Sequence, residues 1–79
     1  MTISMKELIE TIAKAIVDDP SQVRVTEIEG STSVILELSV AEEETGRVIG
    51  RNGQVANAMR TLLQSIAAKE NKRVTLEII

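Results

Sequence analysis

The sequence predicts a small α+β fold in the order α-β-β-α-α-β, a three-stranded mixed sheet with three helices on one face. Apolar residues recur at helical spacing over about residues 4–17 and again over 53–69, which marks two amphipathic helices. Between and after them Val34, Leu36, Leu38 and Val40, and later Val74, Leu76 and Ile78, alternate with polar or outward residues, the period of a half-buried strand. A pair of glycines three apart, Gly50 and Gly53, then splits the second helical region into a short and a long helix.

Taken in order, Ser4 and Glu7 have the spacing of a capping box, and Met5, Leu8, Ile9, Ile12, Ala13, Ala15 and Ile16 form the apolar stripe that follows. The opposite face, Lys6, Glu7, Glu10 and Lys14, is mixed in sign, so the stripe reads as core rather than membrane anchor. Asp18-Asp19-Pro20 ends the helix, because proline disfavours helical backbone in the residue before it. Val23, Val25 and Ile28 read as a strand over about 22–29, with a slip of phase after Val25 that suggests a bulge. Gly30, Ser31, Thr32 and Ser33 make a turn short enough to predict an antiparallel hairpin with the next strand.

A short helix is expected over about 42–49, with Glu42, Glu43 and Glu44 at its favourable, positive end. Three consecutive acids point in different directions around a helix, which weighs against a shared metal ion. In the long helix Val55, Met59, Leu62, Leu63 and Ile66 form the stripe, flanked by Ala56, Ala58 and Ala67. Asn71-Lys72 is a turn before the last strand. Strands two and three are joined through helices, so they are expected to lie parallel with a right-handed crossover. Val34, Leu36, Leu38 and Val40 should then face the helices and pack on Leu8, Ile12, Ile16, Met59, Leu63 and Ile66.

Seventy-nine residues fit one domain with a modest core, for which a stability of about 3 to 5 kcal/mol is the general expectation. The chain has no Cys and no His, which removes thiol chemistry, disulfides, imidazole catalysis and the usual transition-metal ligands. No export signal or membrane-spanning run is read in it, and the cytoplasm is the expected compartment. The formal net charge of −3 conceals a polarity. Residues 1–45 carry three basic against ten acidic side chains, whereas residues 46–73 carry six basic against one acidic. Aromatic residues are absent, which excludes base-stacking platforms built on Phe, Tyr or Trp.

The basic half contains GRVIGRNGQVANA, residues 46–58. Gly50 and Gly53 permit a tight turn and close approach, and the helix that starts there directs unpaired N–H groups and its positive end toward whatever the loop holds. Arg47 and Arg51 flank the loop, and no acid lies between Gly46 and Lys69. On the glycines alone, a phosphate-holding loop and a ligand-free helical hairpin fit equally well. The spacing matches neither the dinucleotide-binding nor the P-loop pattern, and no His, Cys or Tyr can serve as base or nucleophile, so catalysis is not expected.

Val48, Ile49, Gly50, Arg51, Asn52 and Gly53 resemble, position by position, the Val/Ile-Ile-Gly-x-x-Gly core of the KH domain. The element order resembles the type II KH fold along the whole chain. Many KH domains have Ile or Val three residues after the second glycine, where this chain has Ala56. The run GRVIGRNG with Ala58, Arg60, Thr61 and Leu62 resembles the small bacterial single-KH proteins of the KhpA type. That resemblance implies binding of single-stranded RNA through Arg47, Val48, Ile49, Gly50, Arg51, Asn52, Gly53 and Gln54, with no cofactor, no metal and no catalytic residue. It further implies an RNA chaperone or post-transcriptional regulator linked to cell elongation and shape, often with a larger partner of the KhpB (Jag) type. The apolar arc of the long helix is wider than a surface helix needs, which points to a homodimer, or a heterodimer with another KH protein, through Ala58 and Leu62. The competing reading is a protein-interaction module on the same scaffold, with RNA binding secondary.

Overall fold

In the computed structural model, which describes residues 4–79, the chain forms the expected α-β-β-α-α-β order. Residues 1–3, part of the stretch read for an export signal, lie outside the description. Helix α1 (Met5–Ile16) is capped by Ser4, whose hydroxyl oxygen accepts from the Glu7 N–H at 3.1 Å and donates to the Glu7 carboxylate at 3.1 Å. This satisfies one of the N–H groups that a helix start leaves open. Its buried line is Met5, Ile9 and Ala13, continued by Val17 just beyond the helix. Leu8 is only half-buried and Ala15 is exposed, so the inward arc is rotated from the one expected.

Strands β1 (Arg24–Glu29), β2 (Ser33–Ser39) and β3 (Arg73–Ile78) form one sheet in that order, β1 antiparallel and β3 parallel to β2. The strand expected from residue 22 begins at 24, because Pro20–Gln22 forms a 3-10 turn capped by the Asp19 carboxylate on the Ser21 N–H at 3.2 Å. No bulge interrupts β1: the register runs unbroken from Arg24 opposite Ser39 to Glu29 opposite Val34. The apparent slip of phase is a change of face. Val25 pairs with buried Leu38 on the inner face, while Ile28 pairs with Ile35 on the outer one and is 51% exposed. The outer face lies away from the helices, so Ile28 stays open there.

The inner face carries Val34, Leu36 and Leu38, all buried, with Leu76 beside them from β3. Val40 packs on the core only in part. Helix α3 (Gln54–Lys69) covers these residues with Ala56, Met59, Leu63 and Ala67. Its last turn closes through Asn71, whose φ of 57° is the left-handed conformation that asparagine tolerates, and the Lys72 N–H returns to the Ala67 carbonyl at 2.9 Å. The Lys72 ammonium donates to the Glu29 carboxylate, and that contact holds its pKa above the ordinary lysine value.

Helix α2 is shorter than expected. Residues 42–44 form a 3-10 turn, and the α-helix proper is Thr45–Ile49. Glu44 therefore stands at its N-cap and does something other than complement a dipole. Its carboxylate is buried and accepts the backbone N–H groups of Asp18 at 2.5 Å and Asp19 at 3.0 Å. Those donors lie just past the end of α1, so the bonds tie the start of α2 to the end of the first helix.

Candidate nucleic-acid interface

The site is built on the junction of α2 and α3. Val48 is wholly buried and Ile49 is 39% exposed, so the first anchors α2 in the core and the second edges the surface. Val48, expected among the RNA-facing residues, thus serves the core with its side chain. The Gly50 N–H closes α2 on the Gly46 carbonyl at 2.8 Å, and the Gly53 N–H then returns to the Gly50 carbonyl at 3.1 Å. Between these two bonds the chain reverses across residues 50–53 in a tight turn, with Asn52 at φ 55° and ψ 26°, outside helical geometry.

Three residues of this turn have positive φ: Gly50 (77°), Asn52 (55°) and Gly53 (75°). At Gly50 the ψ of 171° adds a region that only glycine occupies readily. A Cβ built there would also meet Val55 Cγ2 at 2.5 Å and the Val55 backbone nitrogen at 2.8 Å. At Gly53 only the backbone angle demands glycine, since an added Cβ would find an ordinary contact at 3.7 Å. Gly50 is therefore where the backbone of the loop touches the first turn of α3.

Helix α3 has Gly53 as its N-cap, and among the described residues no side chain caps its opening N–H groups. Arg51, Asn52 and Gln54 are exposed, and among the described residues no ion pair or side-chain hydrogen bond engages any of the three. The loop thus presents an uncapped helix start, a free guanidinium and an amide side by side, the chemistry that receives an anion.

Arg47 is placed differently from Arg51. Its Nη2 contacts Asp18 Oδ2 at 3.1 Å, and its Nε lies 3.7 Å from Glu44 Oε1. The spacing of three between Glu44 and Arg47 was a readable sign of their pairing; the approach of Asp18, from another element, was not. Ala58 and Leu62 lie exposed on α3, Leu62 by 48%, and α1 does not cover them.

Arg60 is not among the residues that the sequence points to for RNA binding. Its Nη2 donates to the Leu76 carbonyl at 3.2 Å. The Arg73 and Ile79 N–H groups bond to the carbonyls of Thr32, just before β2, and Leu38, so by alternation Val74, Leu76 and Ile78 turn their backbone groups to the open edge of β3. A shallow cleft lined by Arg60, Leu63, Gln64, Val74, Thr75 and Leu76 runs beside that edge. The cue in the sequence was a basic residue on the flank of the stripe.

Comparison with known proteins adds to this geometry. Residues 6–78 match the family described as "KhpA/KhpB, KH domain". A protein of Clostridium acetobutylicum named RNA-binding protein KhpA is 56% identical over 75 residues, which span 95% of this chain and 100% of that protein. The Aquifex aeolicus protein of the same name is 49% identical, over 96% of each chain. The Listeria monocytogenes protein is 47% identical, over 95% of this chain and 99% of that one. Among solved structures, Aquifex aeolicus Era bound to GDP·AlF4− superposes with a TM-score of 0.61 at 20% identity, over 94% of this chain but 29% of Era. Era in complex with MgGDPNP and nucleotides of 16S ribosomal RNA gives a TM-score of 0.57 at 21% identity, over 94% and 28% respectively. At that identity the likeness concerns the fold, a KH-like arrangement of three helices on a mixed sheet. The sequence match covers nearly the whole chain at high identity, and it shows that the chain belongs to the KhpA/KhpB family of KH domains.

Proposed function

We propose that the chain binds single-stranded RNA, with the loop from Gly50 to Gly53 clamping the sugar-phosphate backbone. The observation that carries this reading is the loop itself: two glycines and Asn52 in left-handed backbone, the uncapped start of α3, and Arg51 with no acidic partner among the described residues. A KH loop of this kind holds about four nucleotides. Relatives that match nearly the whole chain are named RNA-binding proteins, which agrees with it. The strand continues from the loop along the cleft between α3 and β3, where the outward backbone groups of β3 offer donors and acceptors to base edges. With no aromatic residue to stack on and a footprint of about four nucleotides, recognition by one domain is weak and tolerant of sequence.

The same reading makes the protein a cytoplasmic RNA chaperone or post-transcriptional regulator linked to cell elongation and shape, acting as a homodimer or with a larger KhpB (Jag)-type KH protein. Exposed Leu62 and Ala58 are the apolar surface available for such pairing. The test is the double variant Arg51→Asp with Asn52→Asp, measured by fluorescence anisotropy on a short unstructured RNA. Both positions are exposed and aspartate tolerates the left-handed backbone at 52, so circular dichroism and urea stability should stay within about 0.5 kcal/mol of wild type. RNA binding should collapse, because carboxylates replace the groups that face phosphate. Equal affinity in equally folded proteins refutes the loop as the site and favours the protein-interaction reading. Salt adds a second discriminant, since log affinity should fall by about 0.7 per log unit of salt for each phosphate neutralised.

A further inference from the structure

We propose that Asp18 competes with the RNA backbone for the Arg47 guanidinium, so that the chain carries its own anion in the place of one phosphate and holds RNA more weakly than its cations allow. The inference rests on the proposed RNA-binding reading and concerns how that site is tuned. Arg47 lies one turn before Gly50 in α2 and is, with Arg51, one of two cations immediately flanking the loop. Arg51 is open to a ligand. Arg47 instead holds Asp18 at 3.1 Å, with 55% of its own side chain and 78% of the Asp18 side chain exposed, while its Nε lies 3.7 Å from the buried Glu44 carboxylate, which stays in place when Asp18 is changed. Solvent screens so exposed a pair and makes it weak, and a phosphate can displace the carboxylate.

What makes the contact more than a chance surface pair is how Asp18 is held. Its backbone N–H is bonded to the buried Glu44 carboxylate at 2.5 Å, as is the neighbouring Asp19 N–H at 3.0 Å. The main chain at Asp18 is thereby pinned beside α2, and its carboxylate is presented to Arg47 at high effective concentration, like a tethered ligand. The carboxylate itself accepts no hydrogen bond from the main chain among the described residues, whereas that of Asp19 caps the 3-10 turn at Ser21. Glu44 secures the fold; the Asp18 side chain is spare for regulation. The acidic first half of the chain thus reaches the basic second half beside the loop at Arg47, as it does away from the loop at Lys72 through Glu29.

The experiment compares the full-length wild type with Asp18→Asn, Asp19→Asn, Arg47→Ala and the double variant Asp18→Asn with Arg47→Ala. Each is titrated into a fluorescein-labelled single-stranded oligouridylate of eight nucleotides at several salt concentrations, with circular dichroism as the check of folding. Asp18→Asn keeps the backbone donor to Glu44 and removes only the carboxylate charge. It should bind about twofold to fivefold more tightly at low salt, the scale of one exposed ion pair. The salt slope should steepen by about 0.7 as Arg47 gains a phosphate. Asp19→Asn removes the same net charge without touching Arg47 and should change affinity by less, and the gain from Asp18→Asn should vanish when Arg47 is alanine. Wild-type binding left unchanged by Asp18→Asn overturns the competition alone, and an equal gain from Asp19→Asn assigns the effect to net charge and overturns it too. Absence of binding in wild type and Asp18→Asn alike overturns the proposed function, and this inference with it.

Discussion

Replacing Gly50 by alanine should damage this protein far more than the same change at Gly53, although the two residues share one loop. At Gly50 two costs coincide. The backbone, at φ 77° and ψ 171°, lies in a region where a side chain costs on the order of 1–3 kcal/mol. The new methyl group would in addition meet Val55 Cγ2 at 2.5 Å, the Val55 nitrogen at 2.8 Å and Val55 Cβ at 3.0 Å. The side-chain atoms can turn aside, but the backbone nitrogen opens the first turn of α3 and can yield only by shifting that helix. Overpacking of this kind adds about 1–3 kcal/mol. Against the roughly 3–5 kcal/mol expected of so small a core, the sum removes most or all of the stability. Gly53, at φ 75° and ψ 13°, incurs only the left-handed penalty of about 1–2 kcal/mol, with its nearest new contact at an ordinary 3.7 Å. Urea unfolding followed by circular dichroism separates the two: Gly53→Ala should retain a cooperative transition at a lower midpoint, and Gly50→Ala should begin partly or wholly unfolded. Losses within about 0.5 kcal/mol of each other would show that the close approach of Gly50 to α3 is not what the loop depends on.

Three further outcomes follow from the packing. Leu63→Ala, at a fully buried position under the sheet, should cost about 2–5 kcal/mol in urea unfolding, while Leu62→Ala, one residue away and half exposed, should cost much less. Glu44→Gln offers one amide oxygen in place of a carboxylate that serves two backbone donors, so it should lose about 1–3 kcal/mol and loosen the join between α1 and α2, seen as faster hydrogen exchange at the Asp18 and Asp19 amides. If Leu62 and Ala58 form the pairing surface, light scattering should give a dimer for wild type and a folded monomer for Leu62→Glu; a wild type that is monomeric at high micromolar concentration contradicts that assembly.

What could be read in the sequence is what periodicity and local chemistry encode. The strand at Val34, Leu36 and Leu38 alternates without a fault because it is the central strand, covered on one face by helices throughout its length. The loop was legible because its demands are local: glycine at positive φ with a helix starting beside it. Edges were read less well. Ile28 looked like a break in phase because an edge strand leaves an apolar residue on its outer face, opposite Ile35. In α1 the choice between Leu8 and Met5 for the inner line depends on how the helix is rotated against the sheet, which no repeat within the helix specifies. Glu44 was least legible. It reads as one of three acids at the start of a short helix, and its role depends on N–H groups more than twenty residues earlier in the chain. The same fact explains Arg47, which local spacing placed beside the loop and tertiary packing turned toward Asp18.

Whether RNA is held at the loop between α2 and α3 is read residue by residue in an NMR titration of the uniformly 15N-labelled chain with a short single-stranded RNA. The amides of Gly50, Arg51, Asn52, Gly53 and Gln54, together with the first turn of α3, should shift most and saturate together, with smaller shifts along β3 at Val74 and Leu76. Shifts centred instead on Ala58 and Leu62, or on the outer sheet face around Ile28 and Ile35, with the loop amides unmoved, would place the RNA elsewhere and rule out the loop as its site.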